Sequence, residues 1–186
     1  MSGGFRMILE SERIYLRSWN LDDAEVLFSY AQNPKIGPMA GWAPHKSVNE
    51  SIFFIEHILS SWGFFAIILK ENDQLIGSIN VLTGEASNFS IGSDDGELGF
   101  WIAEPFWRQG YITEAIELIL DFCFYDLELT NVWCGAFDDN IPSRKLQEKL
   151  GFEYQYTLQN VHTMNGEIKT ELVNCMDKEL YEELYE

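Results

Sequence analysis

Phe106-Trp107-Arg108-Gln109-Gly110-Tyr111-Ile112-Thr113 is the stretch on which the whole chain hangs. Residues 97–102 before it read as a strand, and residues from about 111 to 125 after it read as a helix. A loop that feeds backbone amides into a helix N-terminus is a ready anion site, because the first N–H groups have no partner within the helix and the dipole favours negative charge. Gly110 lets a ligand approach the backbone, having no Cβ, and Arg108 adds a fixed cation. A glycine at a strand–helix junction also serves simply to punctuate packing, so the flanking chain has to choose.

Outward from that junction the elements alternate. Upstream, residues 13–19 read as a strand with Ile14 and Leu16 on one face. Asn20 is placed to cap a helix running to about Ala31, with Asp22, Asp23 and Glu25 in its first turn. A Pro/Gly-rich loop over 33–46 holds Trp42 and His45. Ser47 and Glu50 then form a capping box for a helix ending near Ser61. Strands are expected at 64–70 and 75–82, ahead of the one at 97–102. Downstream, 131–137 is a strand, and Pro142 opens a helix that Gly151 closes. Strands near 152–161 and 167–176 flank the turn Met164-Asn165-Gly166. The tail 177–186 reads as a short acidic helix, through Leu180/Leu184 and Tyr181/Tyr185, that docks on its own domain or on a second subunit. Residues 8–176 form one domain with no internal repeat or linker.

A chain of 186 residues with 46% hydrophobic and 15% aromatic side chains suits one folded domain with a substantial core. No apolar run approaches the ~20 residues that cross a bilayer, so no membrane partner is expected. The N-terminal Met-Ser-Gly-Gly-Phe-Arg-Met lacks the apolar centre of a secretory leader, which makes a cytoplasmic location the expectation. Cys123, Cys134 and Cys175 lie far apart among apolar neighbours, a pattern of buried thiols and not of a metal or disulfide framework. A formal net charge of −18 argues against nucleic acid as a partner and favours a cationic acceptor, although it equally serves solubility.

The element order and four motifs resemble the GNAT superfamily of acyl-CoA N-acyltransferases, most of all the branch with the ribosomal-protein N-terminal (alanine/serine) acetyltransferases. The motifs are Glu-Arg-Ile-Tyr-Leu-Arg (12–17), Gly-Glu-Leu-Gly-Phe-Trp-Ile (96–102), Trp-Arg-Gln-Gly-Tyr-Ile-Thr-Glu-Ala (107–115), and Asn-Ile-Pro-Ser (140–143) followed by Lys-Leu-Gly-Phe (149–152). Trp107 and Ile112 depart from the general loop pattern, Ile112 standing where the family carries Gly or Ala.

The resemblance implies an α/β (α+β) fold: a mixed, mostly antiparallel sheet of roughly six to seven strands, helices on both faces and a splayed central strand pair. It implies acetyl-CoA as donor, no metal, and a primary amine as acceptor, attacking directly in a ternary complex. Amides of Arg108, Gln109, Gly110, Tyr111, Ile112 and Thr113 would cradle the pyrophosphate, and Phe100, Trp101 and Ile102 would pair with the pantetheine arm. Glu97 is the candidate general base through water, or else a polar residue at a strand start. Ser143 is the candidate acid for the leaving thiolate, with Asn140 on the pantetheine arm, or else both cap a helix. Tyr154 and Tyr156 are alternative phenolic acids. Trp42 and His45 would roof the acceptor pocket, or be packed down; His57 and His162 read as structural. A GNAT-fold domain that binds acyl-CoA without transferring it is the competing function. Monomer and homodimer both stay open.

Overall fold

The computed structural model describes residues 8–185. Eight strands form one sheet: β1 (Leu9–Glu10), β2 (Ile14–Arg17), β3 (Phe64–Leu69), β4 (Leu75–Thr83), β5 (Asp95–Ile102), β6 (Asn131–Phe137), β7 (Glu153–His162) and β8 (Ile168–Asp177). Their order across the sheet is β1-β2-β3-β4-β5-β6-β8-β7. Five α-helices accompany them: α1 (Ala24–Ala31), α2 (Val48–Phe54), α3 (Tyr111–Asp121), α4 (Ile141–Leu150) and α5 (Lys178–Tyr185). The strand beyond the expected set is β1, whose two residues pair with Tyr15 and Leu16 of β2 and are too short to show a periodicity.

The chain divides into two compact units. The first holds the described residues up to Gly37, with Pro44–Ile79 and Phe100–Leu118. The second holds Pro38–Ala43, Asn80–Gly99 and everything from Ile119 onward. Strands β4 and β5 run through both.

In the first unit the alternation of β2 is realised: Ile14 and Leu16 are fully buried while Tyr15 and Arg17 are not. Burying each such side chain contributes on the order of 1.5–3 kcal/mol. Arg17 clamps Asp23 with two bonds of 2.8 Å, which ties the turn Leu21–Asp23 ahead of α1 to the end of β2. Ser47 caps α2 by accepting from the Glu50 amide at 3.2 Å. Glu50 reaches one residue further back than a capping box requires, to the Lys46 amide at 2.7 Å. The expected second helix ends in a π-helical turn, Ile55–Leu59.

In the second unit β6 is the hub. It pairs parallel with β5 over Asp95–Leu98 and Asn131–Cys134, and antiparallel with β8 from Asn131↔Asp177 to Phe137↔Glu171. The parallel register thus covers four of the eight residues of β5. Buried Asp95 pins it, accepting from Asn131 Nδ2 at 2.8 Å and Trp133 Nε1 at 3.0 Å. The three cysteines are free and buried, as their apolar neighbours imply. Helix α3 also passes into a π-helical turn, Phe122–Asp126. Helix α5 docks within its own unit: the Tyr181 ring lies 5.0 Å from Phe124 and its hydroxyl donates to Asp121, while Tyr185 donates to the Leu150 carbonyl at 2.9 Å. No helix among the described residues is long and apolar enough to cross a membrane.

Candidate active site

The first unit contains the anion-loop candidate. After β5 the turn Glu104–Phe106 redirects the chain, and Trp107 closes it by donating its indole N–H to the Ile102 carbonyl at 2.8 Å. Gln109 Nε2 donates to the Pro105 carbonyl at 2.9 Å. Arg108 and Gly110 both take left-handed backbone conformations, φ 60° and 82°. For an arginine that costs about 1–2 kcal/mol, a strain that persists only where surrounding bonds over-determine the turn. Alternating hands along successive residues turn the N–H groups to one side, the concavity that suits an anion. The helix's own ladder begins with Glu114 N–H to the Gly110 carbonyl at 3.1 Å, so the amides of Tyr111, Ile112 and Thr113 precede it.

The over-determining bonds come from Arg13. Its Nη1 donates to the Gln109 carbonyl at 3.0 Å, its Nε to Glu114 at 2.7 Å, and its guanidinium lies 4.5 Å from the centroid of the Tyr111 ring. Burial pushes the Glu114 carboxyl upward, but bonds from Ser11 and Arg13, with the Arg13 charge, outweigh it and hold the group below the ordinary carboxylate range. Arg13 stands in one of the motif stretches, yet its partner in the loop is 96 residues away, and no local pattern announces that contact. Phe100, Trp101 and Ile102 are half-buried at the end of β5. The Ile102 carbonyl is occupied by Trp107.

The second unit contains the candidate proton-transfer groups. Glu97 is 9% exposed, and its carboxylate accepts from Ser87 Oγ at 2.7 Å, from Asn88 Nδ2 at 2.9 Å and from the Asn88 amide. A second carboxylate was not anticipated: Glu171 on β8. Register sets the two on one face of the sheet, on the strands either side of β6. Glu97 is aligned with Trp133 of β6 and Glu171 with Phe137, while Gly135 lies between them on the same face of β6. The Glu171 carboxylate rests over that glycine: a Cβ there would lie 2.1 Å from Glu171 Oε1 and 2.8 Å from Phe89 Cζ. Burial first, and then the negative charge of Glu97, push the Glu171 carboxyl up to about 7. Burial followed by the same two carboxylates raises Tyr156 and Cys134.

Ser143 sits in the first turn of α4. Its amide is capped by Asn140 Oδ1 at 3.3 Å, and Asn140 Nδ2 reaches the Met39 carbonyl at 3.4 Å. Ser143 Oγ accepts from Gln147 Nε2 at 3.3 Å, which leaves the hydroxyl hydrogen free to be donated. Gln147 is fully buried and also bonds the Gly135 carbonyl at 3.0 Å and Asn174 at 2.6 Å. Trp42 and His45 are packed down, 8% and 7% exposed. His45 Nδ1 lies 2.8 Å from Ser51 Oγ, its ring lies 5.0 Å from that of Phe54, and burial lowers its pKa. Trp42 belongs to the second unit and His45 to the first.

The chain belongs to the acetyltransferase (GNAT) domain family, which matches residues 13–153. It is 30% identical over 167 residues to the uncharacterized N-acetyltransferase p20 of Bacillus licheniformis, covering 86% of this chain and 90% of that protein. In fold it is similar to a GNAT-family acetyltransferase from Bacillus anthracis, with TM-score 0.81 and 19% identity over 93% of this chain and 99% of that one. Mycobacterium smegmatis RimJ, solved in complex with CoA-disulfide, matches with TM-score 0.76 and 17% identity over 100% and 93% of the two chains. Acetyl transfer using acetyl-CoA is the chemistry of the family.

Proposed function

We propose that this chain transfers the acetyl group of acetyl-CoA to a primary amine, on a peptide N-terminus or a small molecule, by direct attack in a ternary complex. The observation that carries this is the turn at Arg108–Gly110, two left-handed residues held by Arg13 at the start of α3. Its open amides and the bare Gly110 backbone, where a Cβ would meet only Arg13 Nη2, fit a diphosphate. This local field reconciles a polyanionic donor with a net charge of −18. The thioester supplies an activated acyl carbon; the chain supplies the rest. Residues 108–113 hold the phosphates, Phe100–Ile102 the pantetheine backbone with help from Asn140, and Ser143 donates its free hydrogen toward the departing sulfur. The acidic balance favours an acceptor that arrives as a cation.

Calorimetry should show CoA and acetyl-CoA binding, and thiol release should follow with at least one member of a panel of N-terminal peptides, polyamines and amino sugars. Binding without turnover across the panel would mean a sensor or scaffold; absence of binding would end the proposal. Ser143→Ala should lower kcat by about 10–100-fold and leave acetyl-CoA affinity within about twofold. Loss of affinity with kcat preserved would make Ser143 a helix cap and nothing more.

A further inference from the structure

We propose that Glu171 is the general base that takes the proton of the acceptor amine, with Glu97 as the positioning carboxylate beside it. This rests on the acetyl-transfer function above. The geometry distinguishes the two acids. Glu97 is held: three donors from Ser87 and Asn88 reach its two oxygens and fix its orientation. Among the described residues no hydrogen bond reaches the Glu171 carboxylate, and it projects from a strand over the one position of β6 that lacks a side chain. Any residue larger than glycine at 135 would exclude it.

The surroundings match the task. Glu97 on β5, Tyr156 on β7 and Cys134 on β6 lie within electrostatic reach of Glu171, and Phe89 from the loop before β5 approaches the same glycine. Lys169, two residues along β8, is engaged with Asp139 at 2.9 Å and Glu167 at 3.6 Å. A carboxyl raised to about 7 is half ionised near neutral pH and far more basic than an ordinary glutamate, which is what proton removal from an ammonium needs.

In the step itself, R–NH3⁺ gives one proton to the Glu171 carboxylate, which becomes a carboxylic acid. The freed nitrogen lone pair forms the bond to the acetyl carbon. As the C–S bond breaks, the nitrogen loses a second proton, and the sulfur keeps the electron pair and leaves as the thiol after taking a proton. Glu171 then returns its proton to solvent, so one H⁺ is released per amide formed.

The test is the pH profile of kcat/KM, with carboxyl titration followed by infrared spectroscopy on the same proteins. Wild type should show an acid limb near the Glu171 value of about 7. Glu171→Gln should lose the limb and about 100-fold in kcat, and Glu171→Asp should recover part of the rate. Glu97→Gln should keep the limb but move it to lower pH, because the neighbouring negative charge is gone. Acetyl-CoA affinity by calorimetry should be unchanged in all three, and its loss would indict the donor assignment instead. A Glu171→Gln enzyme that retains the acid limb overturns the proposal. So does a wild-type spectrum with no carboxyl titrating near neutrality, and that readout holds even where no panel amine is turned over.

Discussion

Gly110→Val is expected to reduce CoA affinity at least about 100-fold, roughly 2.7 kcal/mol, with the rest of the fold intact. Two physical effects converge on one residue. The backbone there sits at φ 82°, a region in which a β-branched side chain is strained by about 1–3 kcal/mol. The added Cβ also falls 3.2 Å from Arg13 Nη2, so a branched group pushes the guanidinium away from the Gln109 carbonyl. Either the turn flips to relieve the strain, which redirects its amides, or it holds and loses its clamp. Arg108→Gly is the control: it keeps a residue that accepts the left-handed conformation and removes only the charge, so affinity should fall by about tenfold or less. Calorimetry with CoA decides, and a Gly110→Val affinity within threefold of wild type would remove the loop from the donor site.

What the sequence disclosed and what it withheld divide by the range of the interactions. The Ser47 cap, the Pro142 start and Gly151 end of α4, and the alternation of Ile14 and Leu16 all depend on neighbours within a turn, and each is where the pattern put it. Membership of the GNAT family was legible from four such local motifs. The π-helical turns after α2 and α3 were not, since apolar periodicity does not register one extra residue in a turn. Arg13 and Glu171 were missed for a deeper reason. Arg13 acts across 96 residues, and a lone arginine at a strand start has no signature of a clamp. Glu171 becomes unusual only through the registers that join β5 to β6 and β6 to β8, which set it beside Glu97 over a glycine. Glu97 was a candidate through the family resemblance, but its three donors come from a loop about ten residues earlier whose conformation no motif specifies.

The glycine between the two carboxylates makes the sharpest test of that arrangement. Gly135→Ala adds one methyl group, yet about a 100-fold loss of kcat is expected from it, as large as that from removing the Glu171 carboxylate. The new Cβ would lie 2.1 Å from Glu171 Oε1 and 2.9 Å from its Cδ, distances at which something has to move. The Glu171 carboxylate is the free end of a flexible side chain, so it yields before the sheet does, and the overpacking costs only about 1–3 kcal/mol of stability. Displaced toward water and away from Glu97, Glu171 loses both causes of its raised pKa, and the acid limb moves from about 7 toward the ordinary carboxylate range. Gly96→Ala separates this effect from simple crowding: its Cβ would meet the apolar Leu129 Cδ1 and Val81 Cγ2, each at 2.8 Å, on the face of β5 opposite its neighbours Asp95 and Glu97. It should lower the Tm by a similar amount while leaving Glu171 seated over Gly135. The double variant Gly135→Ala/Glu171→Gln should be no slower than either single change, because both remove the same group from the same place. Additive losses in that cycle would mean that the glycine and the glutamate act independently, and that the carboxylate over β6 is not what Gly135 is there to admit.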